Sequence, residues 1–517
     1  MKPVAHRVLQ RLDLEGIAAR EFSATRNLLP PEPDWSQVPD FAKVVASITR
    51  SRLGSGMNVR PMSEVAARKS RHGLRPLPFM GIPERVAYLA LTALAVDDIF
   101  KLKRGPEDWL EFSQAPAKHG GDLAPKSRPR ADGKINFGSL MPWASPIKYV
   151  VRSDVVAFYR HVDHRLLADQ LIIQGADFEV IGPLIDFLGE IEGRAVGLPQ
   201  LYEASDILSD IYIDAIERSM LRRGYAIWRF NDDFRISCKG YMDALKAIED
   251  LDSCLREMGL TLHEGKTTTP TFSNYYLEVM GLEVGESGGV VARQDVEDVV
   301  GDYTDDFSQD ADSAADFLNR LTDSPGDAES EIDVRNAGAT EVRLARRALA
   351  GLARHRDDRG LDKVAILVRY LAELTPGAVK YILALHKGGT ARTKLAKVMD
   401  ELTGKTATND WQKIWLIHGY TQAGILELKR GRNARVQWLS NCRMHWSAAP
   451  LRAHAVWALA VAREITIDDV LSDQRSAPES LHVYYADAVR SLGTSADKAK
   501  RTKAFTHDAL LKGLASG

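Results

Sequence analysis

Residues 228–234 read Trp228-Arg229-Phe230-Asn231-Asp232-Asp233-Phe234: two adjacent carboxylates in an aromatic frame that alternates as a strand does. Arg235-Ile236-Ser237 continues the extended pattern. Successive side chains of a strand point to opposite faces, so one face cannot solvate both aspartates. At least one must enter a crowded interior, where a bare carboxylate is costly. A hard divalent cation would offset that cost. The segment also reads as a plain hairpin, because Asn-Asp is a favoured turn pair.

The order of the surrounding motifs narrows the choice. Upstream, Tyr149-Val150-Val151-Arg152-Ser153-Asp154 is an aromatic and β-branched run ending on an acid, and Phe158-Tyr159 follows. Between the acidic motifs stands Gly197-Leu198-Pro199-Gln200, ahead of a helix-like stretch over residues 207–214. After them come Gly259-Leu260-Thr261-Leu262-His263-Glu264-Gly265-Lys266 and then Val279-Met280-Gly281-Leu282-Glu283-Val284, which reads as a short hairpin strand. This series resembles motifs A to E of a reverse-transcriptase palm, over roughly residues 60 to 285.

The resemblance implies nucleotidyl transfer with two divalent ions about 3.5–4 Å apart. Asp154 and Asp232 would hold them, with Asp233 at the edge of the site. Mg2+, or Mn2+ in vitro, suits such an all-oxygen donor set. Tyr159, five residues after Asp154, resembles the steric gate against a ribose 2'-hydroxyl, and Phe158 reads as core packing. Gln200 resembles the glutamine beside the incoming nucleotide. Lys266 resembles the lysine that protonates departing pyrophosphate. Met280 and Gly281 resemble the primer grip, and Arg85 a fingers arginine that meets the triphosphate. Two departures stand out. Leu201-Tyr202-Glu203-Ala204-Ser205-Asp206 follows Gln200 where many template-copying relatives have small residues, which would put bulk and charge in the template path. Asn231 stands where Ala, Met or Val is common.

Residues 291–335 are acidic: from 295 to 334 about fourteen acids face Arg320 alone, so the stretch reads as a partly flexible connection. It masks a basic front. The net charge is −2, yet residues 1–150 carry 23 Lys/Arg against 15 Asp/Glu, with clusters at Arg68–His72 and Lys126–Arg130 suited to phosphates. Three scattered cysteines form neither a disulfide framework nor a metal cluster, which fits a reducing cytoplasm. No apolar run is long enough to span a bilayer, and Arg7, Arg11 and Asp13 interrupt any signal core.

From about residue 336 the pattern is helical. Thr375-Pro376-Gly377 opens one helix and Gly388-Gly389 closes it, Asp410 precedes another, and 450–460 resembles a HEAT-type repeat helix. His445, Trp446 and Trp457 read as packing residues. The expected fold is therefore α+β: right-hand polymerase fingers and palm over 1–290, an acidic connection over 291–335, and an all-α HEAT-like repeat domain over 336–517. A palm followed by helical repeats resembles the defence-associated and abortive-infection reverse transcriptases of bacteria, the "unknown group" clade. That resemblance implies antiphage DNA synthesis from dNTPs that is untemplated or protein-primed, a noncoding or template RNA partner in some members, and homo-oligomers. Tyr202 lies near enough in sequence to be weighed as a primer, and reads better as a cleft-lining ring. A conventional RNA-templated enzyme of the retron or intron kind is the alternative. A nucleic-acid-binding pseudo-polymerase is disfavoured by the intact aspartates.

Overall fold

The computed structural model describes residues 1–23, 28–69, 73–96, 105–124, 142–284, 290–292, 310–323, 334–405, 408–445, 448–493, 503, 505 and 508–516. Ser70-Arg71-His72, the Lys126–Arg130 cluster, most of the acidic connection with Ser324-Pro325-Gly326, and Trp446 lie outside them. The chain forms two compact units. One joins Met1–Leu91 to Asp305–Gly517, and the other is the contiguous segment Thr92–Thr304. The first 91 residues thus cluster with the C-terminal helices, which divides the expected run 1–290.

The physical reason lies within the discontinuous unit. Strands Ser63–Arg68 and Leu74–Phe79 pair antiparallel, and the first packs on the helix Asp410–Gln422. Asn409 Nδ2 donates to the Ala66 carbonyl at 3.1 Å, and the buried indoles of Trp411 and Trp415 both donate to the Leu28 carbonyl, at 2.6 and 3.1 Å. A buried indole N–H needs a partner, and here the N-terminal segment supplies it. The helices Ala311–Asp323, Ala339–His355, Thr375–Lys387, Asp410–Gln422, Ala449–Val461, His482–Leu492 and Ala509–Ser516 form a row in which each touches the next. Further helices, among them Val364–Tyr370, Arg392–Lys405 and Arg432–Arg443, flank that row. Local chemistry sets the ends. Proline stands in the first turn of Thr375–Lys387, Gly389 beyond its end has φ +90, and Asn409 caps Asp410–Gln422 through a capping box. Trp457 Nε1 donates to Asp487 across two neighbouring helices at 2.7 Å.

In the contiguous unit, labels run α1 (Pro106–Asp122), β1 (Tyr149–Ser153), α2 (Phe158–His161), α3 (His164–Ile173), α4 (Phe178–Glu192), α5 (Glu203–Arg222), β2 (Ala226–Phe230), β3 (Asp233–Cys238), α6 (Tyr241–Glu257) and α7 (Phe272–Val279). The strands form an antiparallel sheet of order β1-β3-β2, with Val151 opposite Ile236 and Phe230 opposite Asp233. Helices α5 and α6 pack on it, and Val151, Phe234, Ile236, Leu208, Ile211, Leu251 and Leu255 are fully buried. Each such side chain stabilises the fold by about 1.5–3 kcal/mol. On the other face, Trp109 and Phe112 of α1 lie 5.2 and 5.8 Å from the Phe230 ring. The expected strand at 279–284 is instead a helix end and a strand. Val279 closes α7, Met280 caps it, Gly281 turns the chain at φ +64, and Leu282–Val284 pairs with Val290–Ala292.

Candidate active site

Three segments of the contiguous unit meet at one end of its sheet. Asp154 follows directly on β1 and is 6% exposed. Asp232 lies in the two-residue turn between β2 and β3, and Asp233 is the first residue of β3. One carboxylate oxygen from each of the three lies within 4.8 Å of the others. The segment 228–234 is a hairpin, with Asp232 in its turn and Asp233 directly after it, and both carboxylates stand close enough to Asp154 to share a cation. Asn231 makes the turn possible with φ +54, a left-handed conformation that asparagine tolerates better than Ala, Met or Val.

Arg229 braces that turn from inside the sheet. Its guanidinium donates to Asp210 Oδ1 at 2.7 Å, Glu217 Oε2 at 3.1 Å and the Asn231 carbonyl at 3.1 Å, and its side chain is 8% exposed. Asp210 and Glu217 project from α5, so this helix fixes the acidic turn through one arginine. Burial pushes the Glu217 carboxyl up, and Arg229 opposes that shift.

Lys266 arrives by a backbone pairing. Residues 261–268 run alongside β1 and its extension: Val156 N–H donates to Thr261 at 2.9 Å, His263 N–H to Asp154 at 2.8 Å, and Arg152 and Thr268 exchange hydrogen bonds at 2.8 and 2.9 Å. This ladder brings the Lys266 ammonium onto Asp154 Oδ2. Desolvation works to lower the lysine pKa, but the bond to Asp154 and the other two carboxylates outweigh it, so the ammonium is held above its ordinary value.

The electrostatics fit a cation. Burial, followed by the charges of Asp154 and Asp233, pushes Asp232 up to about 7. Asp233 is also raised by burial, although Arg235 stands 3.6 Å away. Carboxylates that drive up one another's proton affinity are short of positive charge. The donors are oxygen only, which suits Mg2+ or Mn2+ over zinc. Among the described residues this is the one cluster of three His, Cys, Asp or Glu side chains spaced to hold a metal ion.

The other candidates divide by unit. Tyr159, Gln200, Met280 and Gly281 belong to the same unit as the aspartates. Tyr159 lies in α2, and its hydroxyl donates to Asp206 Oδ1 of α5 at 2.6 Å. Phe158 is 3% exposed. Gln200 lies half-buried in the turn before α5, and Met280 is 38% exposed at the end of α7. Arg85 belongs to the other unit, where it is 4% exposed and pairs with Glu32 at 2.8 Å and Glu21 at 3.7 Å. Of the expected bulk after Gln200, Tyr202 is turned inward while Leu201 is half-buried and Glu203 exposed. Leu201 takes φ +70, Tyr202 ends up 4% exposed, and α5 begins at Glu203.

Three contributors have no site role in the motif pattern: Arg229 and His164 receive none there, and Asp206 stands only in the run of bulk and charge after Gln200. His164 is 2% exposed, and its Nε2 lies 2.7 Å from the Gly197 carbonyl, fixing the loop that carries Gln200. The odd acid after Gln200 was the available signal for Asp206. His164 carries no local signal, since its partner stands 33 residues away.

No helix among the described residues is long and apolar enough to cross a membrane. No protein-family model and no curated protein matches the chain. Among solved structures, the chain is similar to telomerase from Candida albicans in complex with a fragment of telomeric RNA, at 10% identity and a TM-score of 0.28 over 67% of this chain. It spans 63% of that telomerase chain. It is also similar to apo telomerase from Candida tropicalis, at 11% identity and a TM-score of 0.28, over 74% of this chain and 69% of the other.

Proposed function

We propose that the chain is a polymerase of the reverse-transcriptase kind that joins deoxynucleotides in bacterial antiphage defence. The observation that carries this reading is the meeting of Asp154, Asp232 and Asp233 within 4.8 Å at one end of an antiparallel sheet. Nucleotidyl transfer forms a bond from a 3'-hydroxyl oxygen to an α-phosphorus and releases pyrophosphate. Negative charge grows on the entering and the leaving oxygen, and fixed positive charge must meet both. Mg2+ held between Asp154 and Asp232, with Asp233 at the edge, would supply that charge and an activated hydroxyl.

The chain's own residues would do the rest. Lys266, kept protonated by its acidic neighbours, is in the state needed to give a proton to departing pyrophosphate. Tyr159 would exclude the ribose 2'-hydroxyl, Gln200 would lie beside the incoming base, and Met280 with Gly281 would hold the primer end. The row of stacked helices, HEAT-like in arrangement, offers an extended surface for RNA, DNA or a second copy.

One observation favours a second reading, the conventional RNA-templated enzyme. Tyr202 is buried, so the largest of the side chains that argue against copying a free template is turned into the core.

Labelled dNTP incorporation by the purified protein separates the readings. With Mg2+ and no added template or primer, label that stays on protein through denaturation and disappears in Asp232→Ala supports untemplated, protein-primed synthesis. Incorporation only when RNA and a primer are added selects the templated enzyme. No incorporation under either condition, with phage protection unchanged in Asp232→Ala, overturns the polymerase reading in favour of a binding protein.

A further inference from the structure

We propose that Asp206 is a positioning residue for sugar selection, acting through Tyr159. The inference rests on the polymerase reading and adds to it a residue that the motif pattern places among obstructions.

Tyr159 is held at both ends. Its carbonyl accepts from Leu198 N–H at 2.7 Å, which ties its backbone to the loop Gly197-Leu198-Pro199-Gln200. Its hydroxyl, at the far end of the ring, donates to Asp206 Oδ1 at 2.6 Å. The Phe158 ring packs edge-on against it at 5.6 Å. A tyrosine has two side-chain torsions; anchoring the backbone and the hydroxyl together leaves the ring little freedom in either.

The anchor is placed to be strong. Asp206 stands in the first turn of α5, with its N–H on the Tyr202 carbonyl at 3.2 Å. The amino end of a helix favours a negative side chain. A phenol donating to a carboxylate is a charge-assisted bond, and 2.6 Å is the length such bonds take.

A deoxynucleotide differs from a ribonucleotide by one oxygen atom. A wall that detects one atom must be fixed to about 0.5 Å. Tyr159 alone could rock about its torsions and admit the extra hydroxyl. With Asp206 as its stop, it cannot. The acid after Gln200 therefore has a use that small residues at this position could not provide.

The test is the ratio of ribonucleotide to deoxynucleotide incorporation, measured for wild type, Asp206→Ala, Asp206→Asn, Tyr159→Phe and the Asp206→Ala/Tyr159→Phe double variant. Asp206→Ala is expected to raise the ratio about ten- to a hundredfold, the worth of a hydrogen bond to a charged group. Tyr159→Phe, which keeps the ring and loses the hydroxyl, is expected to raise it equally, and the double variant no further. Asp206→Asn keeps an acceptor and is expected to restore most of the selectivity. An active wild type whose ratio is unchanged in both Asp206→Ala and Tyr159→Phe overturns the proposal and leaves the polymerase reading standing. A wild type that incorporates neither class of nucleotide overturns both. If Asp206→Ala fails to fold, as a thermal melt would show, Tyr159→Phe and Asp206→Asn decide the matter.

Discussion

Replacing Arg229 by methionine keeps the side chain's length and removes its charge. In the structure that charge is shared by Asp210, which is 6% exposed, and by Glu217. Taking away one partner of a buried pair leaves the other charge in a poor solvent, at about 3–5 kcal/mol. A unit of this size loses about 2–4 °C of Tm per kcal/mol, so Arg229→Met is expected to melt roughly 6–20 °C lower. The sign of the pH dependence follows from Glu217. Burial already raises its pKa and Arg229 restrains that rise; without the arginine the folded state holds the proton more tightly than the unfolded state. Stability then falls as pH rises, and the deficit is expected to be larger at pH 8 than at pH 5.5. Adding Asp210→Asn and Glu217→Gln to Arg229→Met removes the stranded charges and is expected to recover most of the melting temperature. It does not recover activity, because the Asn231 carbonyl still lacks its donor. Urea and thermal melts of the single and triple variants, alongside dNTP incorporation, check both statements. A single variant that loses less than about 1 kcal/mol, or a triple variant that regains full activity, would refute the claim that Arg229 braces the acidic turn.

Two further outcomes follow from burial. With EDTA at pH 8, Asp232→Asn is expected to be more stable than wild type, because a carboxyl displaced from 3.8 to about 7 costs up to about 4 kcal/mol when ionised, less where solvent reaches it. The wild-type penalty grows as pH rises from about 4 to 7 and shrinks on adding Mg2+; differential scanning calorimetry that finds the variant no more stable in EDTA would sink the idea. His418 and His454 are both lowered to about 4, by burial above all. The unfolded chain therefore takes up protons first, and each histidine removes up to about 3 kcal/mol as pH falls from 6.5 to 4. Imidazole NMR signals of either residue that titrate near pH 6.5 in the folded protein would contradict this.

The local pattern carried the acids and much of the helical register. The β-branched run ahead of Asp154 marked a strand and the Asn-Asp pair marked the turn that holds Asp232, while proline, glycine and Asx signals marked both ends of the helix Thr375–Lys387 and the start of Asp410–Gln422 to within a residue. What it could not carry were choices of distant partner. Nothing near Leu28 announces that its carbonyl will receive two tryptophans almost four hundred residues on. Nothing near Arg85 announces Glu32. Leu201 stands in the left-handed region, Tyr202 beside it points inward, and Asp206 meets Tyr159. Such conformations are uncommon for leucine and are stabilised by surroundings that a linear reading does not see.

The division of the chain has a consequence for its birth on the ribosome. Residues 92–304 are contiguous and can collapse as soon as they emerge. Residues 1–91 cannot, because the helix that covers their hairpin and donates two indole N–H groups to their Leu28 carbonyl is made only after the whole contiguous unit. At about 5–20 residues per second, that opening segment waits on the order of tens of seconds with its apolar strands uncovered. The nascent protein therefore carries a finished insert between two halves of an unfinished domain, and its dependence on chaperones should be greatest in that interval.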